Sequence, residues 1–190
     1  MSQYFALPRF RLGVAPIGTR VLITLFLAGT ALAIYVSLFT FYDRTGFTLK
    51  GIVDYYRGNE GDPAAKEMLF PKTRTEILEV THIHSFSLLI LFFILAHFFA
   101  LTVLPEGVKI AAYSLNFLSM AGMLAGPWLV TFSGPWYARW FAWSGIIFTA
   151  GCTFLALGTL WEIWFGGMIY RSRSQSLKNI ETVRAENEEG

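Results

Sequence analysis

The chain has 190 residues, of which 54% are hydrophobic and only 15% charged, with a formal net charge of +2. A soluble domain carries about a quarter charged residues, and a balance this close to neutral gives nucleic acid no electrostatic footing. The one cysteine, Cys152, excludes an internal disulfide, a thiolate zinc or iron–sulfur site and a CxxCH haem attachment.

Charge is confined to the N-terminal arm, to 43–79, to single sites such as Glu106 and Arg139, and to the tail after Tyr170. Between these zones lie apolar runs long enough to cross about 30 Å of hydrocarbon, which takes about 20 helical residues. The expected fold is therefore an all-α integral membrane protein, with four transmembrane helices in an up-down bundle. Residues 1–18 form an arm on the membrane surface, 19–170 the membrane domain, and 171–190 a polar tail. The first apolar run follows Arg9, Arg11 and Arg20 and is too long for a signal-peptide core, so secretory processing is not expected.

The first span is expected over 21–42, with Gly29, Ala31 and Ala33 offering a flat packing face. The connection 43–74 is the only long polar one. Its 48–56 segment places Leu49, Ile52, Val53 and Tyr56 on one side of a short amphipathic helix, and GNEGDP signals a turn. A polar loop this long, with aromatic residues of its own, is expected to be ordered against a partner. The second span starts between 73 and 76 and runs to Leu104, where Pro105–Glu106–Gly107 stops it. The third covers 108–132, interrupted at Gly126–Pro127. A tight Ser133–Gly134–Pro135 hairpin then leads into the fourth, 136–170. All six tryptophans follow residue 127 and gather near the expected helix ends, as an interfacial aromatic belt requires.

Four spans put both termini on one side. That side holds Arg9, Arg11, Arg20, Lys109, Arg171, Arg173, Lys178 and Arg184; the other holds Arg44, Lys50, Arg57, Lys66, Lys72, Arg74 and Arg139. The excess, and the close flanking of the spans by the terminal arginines, points to cytoplasmic termini in a bacterial inner membrane.

All three histidines lie on the second span, in EVTHIHSFSLLILFFILAHFFALT. Ionisable residues inside a span are costly and mark function by default. His82 and His97 are separated by about 60° around a helix and about 22 Å along it, and Glu79 falls at about the same azimuth as His97. His84 points elsewhere, about 140° from His97. Glu79, His82 and His97 therefore make one stripe, with a histidine near each membrane surface.

Neutral imidazole is a common axial ligand of haem iron. Here the span resembles those of membrane b-type cytochromes, in which histidines about four turns apart hold one haem near each side. The resemblance is confined to this helix. It implies haem b held by His82 and His97, with His84 in reserve, in an electron-transfer subunit of a respiratory or related redox complex. The chain departs from the pattern, since two bis-histidine haems need four histidines on two helices and this chain has three on one. The missing ligands can come from a homodimer, from a different subunit, or from Met120 or Met123 on the third span. A different subunit is the favoured source, with a redox partner docking on loop 43–74.

The same residues admit other readings. Glu79, His82 and His84 can bind a quinone head and handle its proton. Beside both stands a bland one, in which surface histidines bond a loop or headgroup and the chain is a cofactor-free anchoring subunit. Glu162, in LWEIWF near the end of the fourth span, belongs either to a proton path with Thr159 and Thr153 or to an interfacial pair with Arg171 or Arg173. Cys152 reads as packing, and Ser114, Asn116 and Ser119 as links between helices. A catalytic constellation is not visible.

Overall fold

In the computed structural model, residues 12–63, 65 and 67–166 are described. The helices are α1 (Ile17–Thr45), α2 (Leu49–Arg57), α3 (Arg74–Ala100), α4 (Glu106–Trp128) and α5 (Tyr137–Trp161). α1, α3, α4 and α5 are long and apolar enough to cross a bilayer, the last two with their terminal π-helical turns included. The chain is an all-α, four-span, up-down membrane bundle. A 3-10 turn, Leu12–Val14, packs against the π-helical turn Glu162–Gly166, so both ends of the membrane domain lie together. The expected tail 171–190, with Arg171 and Arg173, lies outside the described residues, as do the first eleven residues of the arm.

α1 is longer than expected at both ends. It begins after Pro16, which has no amide hydrogen to lose, and stops at Gly46, whose left-handed backbone (φ 58°) lets its N–H reach Tyr42 O at 2.7 Å. α3 starts on a reciprocal capping box: Thr73 Oγ1 accepts from Glu76 N, while the Glu76 carboxylate accepts from Thr73 N.

The loop 43–74 is ordered against its own bundle. Thr48 Oγ1 caps α2 by accepting from Gly51 N. The expected amphipathic face forms in part: Ile52 and Tyr56 are buried with Ile77, Val130, Ala138 and Phe141, whereas Leu49 stays exposed. Arg57 Nη1 donates to Val130 O and Thr131 O, fastening α2 to the far end of α4. Arg44 and Lys72 both stand over the Tyr55 ring. Hydrogen bonds that Lys50 Nζ donates to Asp54 and then Asp62 raise the Lys50 pKa above its ordinary value.

One expectation about α4 needs correction. Gly126–Pro127 does not interrupt the helix, which runs through it. Pro127 cannot donate to Met123 O, and the chain continues into a wider π-helical turn, Leu129–Ser133, of the kind that re-satisfies backbone groups beside a membrane proline. The hairpin that follows closes as expected, with Gly134 N on Leu129 O.

The core is built on α4 and α5, which pack face to face through glycines. A Cβ on Gly122 would meet the Ser144 side chain, one on Gly126 the Phe141 ring, and one on Gly151 the Asn116 amide. Small residues at such crossings let helix backbones approach closely in lipid, where apolar surface alone gives little association energy. α1 and α3 pack more loosely, through Ile23, Leu27, Leu95 and Phe99.

Candidate functional site: the outer face of the second span

α3 turns Ile77, Leu95 and Phe99 into the bundle. Its opposite side carries the chemistry. Glu79, His82 and His97 are all exposed, and so is His84. The stripe expected from spacing therefore exists, but it faces away from α4 and α5. Between its polar ends stand Phe86 and Phe93, 70% and 68% exposed, with Leu89 half exposed.

His97 keeps company with aromatic rings, stacked at 6.2 Å on Phe93 and tilted at 6.3 Å to Phe98. His84 Nδ1 lies 2.8 Å from Val80 O, an arrangement that assigns the proton to Nδ1 and leaves Nε2 as the free lone pair. The Glu79 carboxylate and the His82 ring meet no hydrogen-bond or ion-pair partner among the described residues.

The depth of His97 follows from its neighbours. Phe98 packs edge-on against Phe26 at 5.8 Å, and Phe26 lies six residues, about 9 Å, inside Arg20. His97 is thus among apolar residues within the last turn of α3, three residues before Ala100, while Glu79 and His82 lie near its other end, level with the Trp128 Nε1 to Thr81 Oγ1 hydrogen bond at 2.8 Å.

The two candidate methionines are not beside this stripe. Met120 is buried, 4% exposed, in the central cluster with Leu95, Phe99, Phe148 and Cys152, and Met123 is packed at its edge. Neither Met120 nor Met123 is offered to the histidine stripe, because α4 uses these side chains to fill the contact with α5.

Glu162 is not on the outside either. It is 3% exposed, and its Oε2 accepts from Val103 N at 3.3 Å. The π-helical turn swings this carboxylate under the α3–α4 connection. Thr159 Oγ1 is spent on Leu155 O, and Thr153 is exposed and bonded to Thr149 O, so the three do not form a chain of polar groups. The expected arginine partners of Glu162 lie outside the described residues.

Sequence reasoning missed Lys109. It is 5% exposed, with Nζ on Ala100 O at 2.9 Å and Glu106 Oε1 at 3.3 Å. A cation in the first turn of a helix opposes the macrodipole, and that mismatch was the available signal. Its work is done on the preceding helix, whose terminal carbonyl it caps. Lys109 and Glu162 thus hold the connection 101–105 from two sides.

Asn116, 1% exposed, accepts from Cys152 Sγ through Oδ1 at 3.7 Å and links α4 to α5. Ser119 bonds within its own helix and Ser114 is exposed. Among the described residues no three His, Cys, Asp or Glu side chains come together as a metal cluster.

With four apolar spans and no strand among the described residues, comparison by family is informative. Residues 46–172 match the model of Aq_1264_TM, a transmembrane helical domain. The chain belongs to this family. The match begins at Gly46, the residue that ends α1, so the family domain comprises the loop helix and the three later spans. No curated protein matches the chain, and no solved structure does.

Proposed function

We propose that this member of the family is a structural subunit of a larger membrane assembly, docking a second transmembrane chain against the outer face of α3. One observation carries this reading: imidazoles and a carboxylate on a spanning helix face away from their own bundle. Polar side chains within spans almost always face a bundle interior or a cavity, because hydrocarbon offers them no partner. His97, set between Phe93 and Phe98 and turned outward, needs another chain to cover it.

The test places a photo-crosslinking amino acid at Phe93 in native membranes. The expected product is an adduct with a polypeptide. Adducts with lipid alone would overturn the proposal.

A second reading is electron transfer, favoured by His82 and His97 sharing one exposed row at two depths. The chain supplies one imidazole at each level, so a haem b would need its other axial ligands from the covering chain. Such a haem supplies one-electron redox chemistry, and the role of this chain is to hold it and to exclude water. Quinone binding near Glu79, His82 and His84, and a redox partner on the exposed Met68 and Phe70 of the loop, belong to this reading. A reduced-minus-oxidised spectrum of native membranes decides it. A b-type band lost on His82→Ala or His97→Ala supports haem ligation, and absence of the band removes it. A bacterial inner membrane with cytoplasmic termini is the setting that the Lys/Arg distribution supports for either reading.

A further inference from the structure

We infer that the chain covering α3 is a second copy of this protein, related by a two-fold axis along the membrane normal. This rests on the docking proposal above and names its partner.

The outer face has the order that a helix pair needs. Glu79, His82, Phe86, Leu89, Phe93, His97 and Ala100 follow one another at steps of three or four residues, and every one of them is exposed. Steps of three and four keep a seam facing a second helix crossing at a shallow angle. The row is continuous along the span, with bulky apolar side chains in the middle and polar ones at both ends.

The polar ends are complementary to themselves. Two copies in one bilayer share a topology, so a two-fold axis normal to the membrane brings identical depths together. At one end it assembles two Glu79 carboxylates and two His82 imidazoles, one turn apart, each without a hydrogen-bonding or ionic partner in its own chain among the described residues. A carboxylate accepts and an imidazole N–H donates, so Glu79 of one copy finds in the other copy's His82 what its own chain leaves out. At the other end the two His97 rings meet, a donor on one matched to an acceptor on the other. An unrelated partner would have to supply an acid, a base and a further polar group at the same depths; a second copy supplies all three by symmetry.

The other spans offer less. The exposed face of α1 carries Ser37 and Thr40, but both hydroxyls are bonded to their own helix, at Ala33 O and Val36 O. On α5 the exposed Thr153 is bonded to Thr149 O of its own helix, and Ile146 and Leu157 are apolar and suit lipid.

The experiment is disulfide trapping in native membranes. Cys152 is replaced by alanine, and single cysteines are introduced as Phe86→Cys, Phe93→Cys and, on α5, Leu157→Cys. After oxidation with copper–phenanthroline, Phe86→Cys and Phe93→Cys should run as covalent dimers, with at least five times the cross-linked fraction of Leu157→Cys. Adding Glu79→Gln or His82→Ala should lower that fraction at least twofold, while folded monomer persists on gel filtration. Equal cross-linking at all three positions, or none at the α3 positions, overturns the inference. If the Phe93 photoadduct is instead with a different polypeptide, docking stands and the second copy fails. If only lipid is labelled, both fail.

Discussion

The α4–α5 pair and the outer face of α3 are built on opposite terms. The pair is closed: Gly122, Gly126 and Gly151 let backbone meet side chain, and Asn116 and Cys152 are linked inside it. The α3 face is open, yet it holds all three histidines and a carboxylate. The closed pair meets its polar groups from within, whereas on the proposed reading the open face is completed by a second chain. The contrast teaches that residues bearing chemistry need not line the interior of the chain that carries them.

The largest expected effect comes from forcing the closed pair apart. Gly151→Leu places a side chain where Asn116 sits, and overpacking of this kind costs about 1–3 kcal/mol or more. Denaturation of the detergent-solubilised protein by sodium dodecyl sulfate should show the loss. Gly151→Ala alone should be destabilising and should be partly rescued by Asn116→Ala; strictly additive effects would mean the two do not touch. A middle-sized effect is expected where the closed region reaches the connection 101–105. Glu162→Ala leaves the part-buried Val103 amide without its acceptor, and losing a hydrogen bond of this kind costs about 0.5–1.5 kcal/mol. Glu162→Gln keeps an acceptor and should lose less than half of that. Equal losses for the two would mean that charge, not the hydrogen bond, matters there.

The smallest effect is expected on the open face. Phe93→Ala should change the unfolding of the monomer in detergent by no more than about 0.5 kcal/mol, because an exposed side chain gives up few contacts. The same substitution should reduce association in membranes. A large loss of monomer stability would break the comparison, showing that the face contributes to the bundle's own fold.

Much of the fold was legible in the chain because lipid imposes a simple rule. Length and polarity of each run decide whether it spans, and Pro105, Gly134 and Pro135 punctuate the runs. The Glu79–His82–His97 stripe was legible too, since helical period alone sets azimuth. Which way that stripe turns was not. Apolar residues surround α3 on every side, so its pattern does not distinguish core from lipid, and only packing against α4 and α5 assigned Ile77, Leu95 and Phe99 inward and the histidines outward.

The same reason explains the other surprises. Gly126–Pro127 reads as a break, but neighbouring helices and a π-helical turn absorb a proline that water-exposed helices would not tolerate. Loop 43–74 shows no packing partner for Ile52 and Tyr56 in the sequence; they pack with Ile77, Val130 and Phe141, distant along the chain. Glu162 reads as interfacial from its place near a helix end, and the wider turn carries it under the α3–α4 connection. By itself the sequence determined the spans, their order and the azimuths of side chains along each helix, all of which are local properties. The tertiary structure alone decided which face of each helix is inside, because in a membrane that choice rests on contacts between helices and not on hydrophobicity.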